Sequence, residues 1–216
     1  LGVWQLERRA WKLDLISRVE ARIHAPPVSL AGPAAWGGVT ARDDEYRRVS
    51  ATGQFMHERE TLVQAVTDLG PGFWVLPPLR TPHGVVLINR GFVPPARRDP
   101  AIRRAGSPIG EVTVIGLLRM TEPKGGFLRA NDPGAGRWYS RDVAAIARAQ
   151  ELSKVAPFFV DADTAPNPGG FPVGGLTVVQ FRNVHLVYAL TWFALAALSV
   201  FGGALIVRSG QAQKGA

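Results

Sequence analysis

The stretch from Val184 to Val207 reads VHLVYALTWFALAALSVFGGALIV and contains no Asp, Glu, Lys or Arg. As a helix, its roughly 24 residues would rise about 36 Å, enough to cross a hydrocarbon core of about 30 Å. Arg182 precedes the stretch and Arg208 follows it, so charged residues mark both ends. The sequence therefore predicts a transmembrane helix over 184–207, followed by a short tail over 208–216.

Length and composition limit what the rest of the chain can be. The 216 residues suffice for one extramembrane domain beside the helix. The chain has no cysteine, which excludes disulfides, CxxC metal sites and CxxCH haem attachment. The net charge of +8 suits anionic lipid head groups, haem propionates or an acidic partner. Nucleic acid is not expected as a partner, because the basic residues are spread among turns.

The beginning of the chain also has a membrane-like pattern. Leu1 to Gln5 resemble the last turn of an apolar helix leaving a bilayer, with Trp4 at head-group level and Arg8 and Arg9 in water. Residues 1–24 are therefore predicted to be the end of a first membrane helix, missing or truncated here, and a juxtamembrane amphipathic helix. The alternative is an ordinary amphipathic helix, and both can hold. Its apolar face would comprise Leu6, Leu13, Ile16 and Val19.

Between the two ends, residues 25–183 show short β-type runs separated by turn residues. One helix is predicted from Asp142 to about Leu152, whereas 31–44 and the basic segment 97–110 are predicted loops. We expect an α+β membrane protein with a β-dominated, barrel-like domain between two transmembrane helices. The predicted strands are Tyr46–Phe55, Thr61–Val66, Gly72–Leu76, Gly84–Asn89, Val112–Leu118, Phe158–Val160 and Leu176–Phe181.

One side of the predicted membrane helix forms a seam of mostly small residues. Such a seam allows another helix or a flat ligand to approach closely. Tyr188 and Trp192 lie in the half nearest the folded domain, where aromatic belts occur. The seam residues recur at spacings of four and three and are His185, Ala189, Trp192, Ala196, Ser199 and Gly203.

His185 stands at the mouth of this helix and is the main candidate functional residue. A neutral imidazole there could be an axial ligand to haem iron, with the small seam accepting the macrocycle. It could equally hydrogen-bond a lipid phosphate or a backbone carbonyl. The residue pattern leaves both interpretations open.

Other polar residues give weaker signals. His57 and His83 lie in turn-like contexts and are expected to be solvent-exposed. The Asp-x-Asp at Asp161 and Asp163 could coordinate a cation, but at a strand end it is more typical of turn chemistry. No HExxH, GxSxG, P-loop or dinucleotide fingerprint is present, so an enzyme is not expected. A solvated loop is expected to carry Arg97, Arg98, Arg103 and Arg104.

The order of motifs resembles the Surfeit locus protein 1 family, the assembly factors of haem-copper terminal oxidases. The resemblance covers nearly the whole chain, and Phe92 stands where the family often has Trp. The matching segments are Gly2-x-Trp4-Gln5, Tyr46-Arg47-x-Val49, Asn89-Arg90-Gly91-Phe92-Val93-Pro94, Trp138-Tyr139-Ser140-Arg141-Asp142 and Arg182-Asn183-x-His185-Leu186-x-Tyr188-Ala189-x-Thr191-Trp192-Phe193.

The resemblance implies a multi-pass protein of a bacterial inner membrane, with the domain over 25–183 on the periplasmic side and a cytoplasmic tail. It also implies that the protein binds haem a or o transiently and helps insert it into oxidase subunit I. Further partners would be other oxidase subunits, membrane lipids and a haem A or haem O synthase. His185 would contact the iron, and Trp4, Gln5, Tyr188 and Trp192 would complete the pocket.

The resemblance also bears on the central segment and on competing functions. Asn89, Arg90 and Gly91 are expected to be structural, although the segment could instead dock on the oxidase. Besides a haem chaperone, the chain could be a scaffold or accessory subunit that never touches haem. A membrane-anchored periplasmic enzyme is a third, less favoured class. Whether the client is a cytochrome c or a quinol oxidase stays open.

Overall fold

The computed structural model describes residues 1–126, 128–177 and 184–214, with side chains in the last helix as far as residue 203. The chain divides into two compact units. One comprises Leu1–Glu20 with Val179–Ala216, and the other comprises Ala21–Val178. The first unit is helical, and the second contains every strand that the structure describes.

The secondary structure follows the periodicity of the sequence in most places. Short 3-10 turns join several of the elements, the longest running from Pro100 to Gly106. The helices are α1 (Gly2–His24), α2 (Pro33–Trp36), α3 (Ala41–Asp44), α4 (Val143–Ala149) and α5 (His185–Lys214). The strands are β1 (Val28–Ser29), β2 (Arg48–Phe55), β3 (Thr61–Thr67), β4 (Gly70–Leu76), β5 (Pro78–Thr81), β6 (Gly84–Asn89), β7 (Phe92–Val93), β8 (Glu111–Met120) and β9 (Val155–Ala162).

Five of these strands close into a small barrel. The larger sheet has the order β1-β2-β5-β6-β9-β8, and β8 pairs back onto β2. That closing pair is antiparallel and runs from Arg48 opposite Leu117 to Gln54 opposite Glu111. Closure leaves the ring without free sheet edges where β2 and β8 meet. The predicted β-dominated, barrel-like domain is therefore confirmed.

A second sheet, β3-β4-β7, covers one side of the barrel wall. Because side chains alternate along a strand, Val86 and Ile88 of β6 point into the barrel core. Leu87 between them packs with Phe159 of β9 into a second core, which also holds Trp138 and residues of α4. Strands buried on both faces explain why these segments read as continuous apolar runs.

Several boundaries differ from the sequence-based expectations. The predicted loop over 31–44 contains the single-turn helices α2 and α3, and β9 begins at Val155 instead of Phe158. Strands β1, β5 and β7 were missed because they have only two to four residues. Helix α4 ends at Ala149, before Glu151 takes a positive φ of 52°. Of the predicted strand Leu176–Phe181, residues 178–181 lie outside the described ranges, and Leu176 and Thr177 form no strand.

Helix α5 contains the apolar stretch from which the membrane prediction came. Its segment His185–Gly203 has a mean hydropathy of 1.8 and is only 6% buried. By length and composition it can cross a bilayer. Three parts of the sequence-based interpretation stay predictions. They are the first membrane helix, the periplasmic side and the division of the chain into 1–24, 25–183, 184–207 and 208–216.

Candidate functional site

The first unit pairs the start of α1 with the start of α5. The Nδ1 atom of His185 lies 2.7 Å from the Oε1 atom of Gln5, and both side chains are half-buried. These two residues stand 180 positions apart in the chain, yet both belong to the same compact unit. The structure thus brings together two of the five residues predicted for the site, one from each helix.

This hydrogen bond selects one tautomer of a neutral His185 ring. An amide oxygen can only accept a hydrogen bond, so Nδ1 of His185 donates to Gln5. In a neutral imidazole the other nitrogen, Nε2, then carries the lone pair. This is the arrangement of metal-binding histidines, whose second nitrogen is commonly held by a hydrogen bond from the rest of the protein.

Small residues allow the two helices to come this close. A Cβ atom built on Gly2 would lie 2.8 Å from the ring of Phe193, so a larger residue there would displace that ring. Ala189, one turn beyond His185, is fully buried. The seam residues Ala196, Ser199 and Gly203 are exposed, and nothing lies within 4 Å of a Cβ atom built on Gly203. The predicted seam is therefore closed near His185 and open farther along α5.

The three predicted aromatic residues of the site stand on the same two helices. Trp4 directly precedes Gln5 on α1, while Tyr188 and Trp192 follow His185 by one and two turns of α5. Trp4 and Tyr188 are each about half exposed, and Trp192 is 39% exposed. These three rings of α1 and α5 therefore present accessible aromatic surface.

A second polar centre, missed by the sequence analysis, lies within the β-rich unit. Asp161 is only 3% exposed and sits in β9, so its prediction as a turn residue was wrong. Its carboxylate accepts hydrogen bonds from Asn89 Nδ2 (2.7 Å) and Thr177 Oγ1 (2.9 Å). It also accepts from Arg119 at 2.9 Å and Arg141 at 3.2 Å. Every oxygen is satisfied, and we assign this Asp161 cluster a structural role.

Each arginine of the cluster also meets a second carboxylate. Arg141 forms a salt bridge with Glu122, and Arg119 lies 3.6 Å from Glu45. The arrangement ties β6, β8 and β9 to the segment between β8 and α4, to Glu45 after α3 and to Thr177 after β9. Among the described residues, no group of three His, Cys, Asp or Glu side chains could hold a metal ion.

The Glu122 ion pair makes the stability of this unit depend on pH. Burial by itself would raise the pKa of Glu122, but hydrogen bonds and charge from Arg141 outweigh it and lower the pKa below 4.5. The folded state thus binds the proton of Glu122 less tightly than the unfolded state does. The ion pair therefore stabilises the fold above about pH 4.5, and this stabilisation is lost as pH falls through the lowered pKa.

Between pH 6 and pH 3, wild type should lose more unfolding free energy than Glu122→Gln in urea titrations. Equal losses in the two proteins would contradict this.

The central Asn89-Arg90-Gly91 segment has the expected structural features. Gly91 has a φ of 123°, which disfavours any residue with a side chain. Its amide donates to Asn89 Oδ1 at 3.1 Å, so the asparagine joins this turn to Asp161. Arg90 is buried and donates to Asn167 Oδ1.

Two further expectations about polar residues were wrong. His57 is half-buried, and its Nε2 atom lies 2.9 Å from the carbonyl oxygen of Pro108, whereas His83 is exposed as predicted. Arg103 is buried in an ion pair with Glu60, while the other three arginines of the predicted loop are exposed. Nothing local in the sequence marks the Arg103 pair, because its partner stands 43 residues away.

The fold and the helix pair define a class of protein: a small closed β-barrel domain in the same chain as an apolar helix long enough for a bilayer. The model of the SURF1 family matches residues 1–197 of this chain. The chain belongs to the SURF1 family, as the order of its motifs predicted.

Individual relatives agree with the family match. The Surfeit locus protein 1 of Homo sapiens is 36% identical over 219 residues, covering 93% of this chain and 71% of the relative. That of Mus musculus is 35% identical over 218 residues, covering 93% and 69%. A SURF1-like protein of Monosiga brevicollis is 34% identical over 230 residues, covering 100% of this chain and 85% of the relative.

Proposed function

We propose that this protein is a non-enzymatic assembly factor for a haem-copper terminal oxidase, which holds haem a or haem o transiently at His185 and assists its insertion into subunit I. The haem is cargo, and the client is a cytochrome c or quinol oxidase. The proposal rests on membership of the SURF1 family together with one geometric observation, the 2.7 Å contact between His185 and Gln5.

The residues around His185 fit a haem cargo. Haem iron accepts a neutral imidazole nitrogen as an axial ligand. Gln5 holds the ring in the tautomer in which Nε2 carries the lone pair and fixes the direction of that lone pair relative to α5. The exposed rings of Trp4, Tyr188 and Trp192 offer apolar surface on which a porphyrin could lie.

A carrier must also release its cargo. The proposed site offers one imidazole and no cysteine, since the chain contains none. The half-exposed aromatic residues form an open face, so a haem placed there would stay accessible to the protein that receives it. Both features favour weak binding and transfer over permanent retention.

The apolar helix suggests the membrane location that we propose for this protein. The segment His185–Gly203 of α5 would lie in a bacterial inner membrane, beside a first helix preceding α1, with the β-rich unit on the periplasmic side. His185 would then stand where the hydrocarbon core meets the head groups. Other oxidase subunits, a haem A or haem O synthase and membrane lipids are the partners that this setting provides.

Purification of the full chain from membranes that make haem a or haem o tests the proposal. We expect wild-type protein to carry a Soret band, and His185→Ala to lose at least about nine-tenths of that absorbance per mole of protein. Gln5→Leu removes the hydrogen-bond acceptor for Nδ1 of His185. It should lower the absorbance severalfold, because the imidazole ring is then no longer held in one orientation. His83→Ala changes an exposed histidine of the β-rich unit and should leave the pigment unchanged.

Two outcomes would contradict the proposal. A His185→Ala protein with a full Soret band would show that another residue holds the iron. A colourless wild-type protein that still co-purifies with oxidase subunits would favour the alternative function, a scaffold or accessory subunit that does not bind haem.

A further inference from the structure

A cavity of about 160 Å³ opens at one end of the β-rich unit, between β2, β8, the end of β9 and the loop at 165–167. Its wall is largely apolar and includes Phe55, Val112, Val114 and Ala162. Arg90 is the only arginine or lysine of the wall. A cavity of about this size, engineered in another protein, takes up benzene. The volume therefore suits a small ligand with an apolar body.

Arg90 is almost completely buried yet has no carboxylate partner among the residues that the structure describes. It is 6% exposed, its guanidinium carbon lies 5.0 Å from the ring centre of Phe55, and one nitrogen donates to Asn167 Oδ1. A guanidinium has five N–H donors, so one hydrogen bond leaves most of them without a partner among the described residues and available to a ligand in the cavity. Burial is the main reason that the pKa of Arg90 falls to about 10.

The carboxylates nearest to this cavity are already matched to other arginines. Glu60 accepts two hydrogen bonds from Arg103, and Asp163 of the cavity wall accepts from Arg48 at 2.7 Å. The charge of Glu60 also acts on Arg90 and partly offsets the fall in its pKa, but Glu60 is paired with Arg103, so Arg90 has no carboxylate of its own among the described residues. A buried charge without a partner is costly, and one additional carboxylate would balance it.

We propose that the cavity is a binding site for a carboxylate carried on a short apolar stem. The carboxylate would pair with the guanidinium of Arg90, whose planar donors suit two parallel hydrogen bonds to such a group. The stem would lie against Phe55, Val112 and Val114. The group could belong to a small free acid or to a glutamate side chain of a partner protein. This site lies wholly within the β-rich unit and does not depend on the haem proposal.

Calorimetric titration of the full chain in detergent with three probes of one size tests the inference. Benzoate should bind saturably, because it combines a carboxylate with a ring that the cavity can hold. Benzyl alcohol, which is neutral, should bind at least about tenfold more weakly, and benzylamine, which is cationic, should not bind. Equal affinities for benzoate and benzyl alcohol would overturn the proposal without any mutation.

A variant then assigns the binding to Arg90. Arg90→Gln should lower benzoate affinity at least about tenfold, while Arg148→Gln removes one positive charge from an exposed position of α4 and should leave it unchanged. Benzoate binding that survives Arg90→Gln would overturn the assignment, as would an equal loss in Arg148→Gln. Should Arg90→Gln fail to fold, the comparison of the three probes on wild type stands by itself.

A fourth titration separates the two sources of the carboxylate. N-acetylglutamate amide presents the glutamate side chain as a partner protein would. Binding of this compound at least as tight as that of benzoate would support a side chain of a partner, whereas binding of benzoate alone would support a free acid. Binding of neither compound would overturn the proposal.

Discussion

Asp161→Asn in the full chain should lower the free energy of unfolding of the β-rich unit by about 3 kcal/mol or more. The substitution removes the negative charge shared by Arg119 and Arg141, whose side chains are themselves about 15% exposed or less. Breaking a buried ion pair by removing one partner leaves an uncompensated charge and typically costs about 3–5 kcal/mol. We expect the lower end of that range, because each arginine keeps a second carboxylate nearby.

The neighbouring aspartate provides the matched control for this variant. Asp163 stands two residues farther along and also pairs with an arginine, but its side chain and that of Arg48 are each about one-third exposed. Asp163→Asn should therefore cost less than about 1 kcal/mol. Urea titrations of both variants, followed by tryptophan fluorescence, measure the difference. Similar costs for the two substitutions would show that the Asp161 cluster does not stabilise the fold.

The contrast between Asp161 and Asp163 shows a difference in burial that the local sequence could not predict. An Asp-x-Asp after an apolar run predicts a turn, and nothing in its local pattern distinguishes one residue from the other. What buries Asp161 is its position opposite Asn89 in β6 and Leu117 in β8. Those pairings join segments far apart in the chain, so only the assembled barrel reveals the difference.

The barrel itself was predictable because its longer strands carry a clear pattern. Runs such as those of β2, β6 and β8 alternate or are continuously apolar, and turn residues bound them. Strand β5 was missed since it is short and begins with Pro78, which cannot donate to a ladder. It pairs with β6, which begins only three residues after β5 ends, so the two strands form a local hairpin whose first strand carries a weak strand pattern.

Local sequence patterns predicted some residues of the candidate site and could not predict the contact between its two helices. The apolar stretch and its seam singled out His185, and helical spacing placed Tyr188 and Trp192 beyond it. The hydrogen bond to Gln5 follows from the packing of two helices at opposite ends of the chain, which neither helix specifies by itself. Only the motif resemblance brought Gln5 and Trp4 into the predicted set.

Gly91→Ala should lower the free energy of unfolding by an amount on the order of 4 kcal/mol. Gly91 has a φ of 123°, where a residue with a side chain is strained by about 1–3 kcal/mol. The added Cβ atom would also lie 2.0 Å from the carbonyl oxygen of Val173. Backbone hydrogen bonds between Phe92 and Val173 in both directions hold that carbonyl in place. Relief of the contact therefore requires separating the two segments.

Gly70→Ala separates strain from steric contact. Gly70 also has a positive φ, 93°, but nothing lies within 4 Å of a Cβ atom built there. Its cost should be only about 1–2 kcal/mol, the penalty for a left-handed backbone conformation. Urea titration of both variants gives the comparison. A cost for Gly91→Ala no greater than that of Gly70→Ala would mean that the segment at Val173 can move away from the turn. The larger cost that we expect would show that the central turn is fixed by its contact with the chain at 173–174, and that glycine is required there for space as well as for its backbone angle.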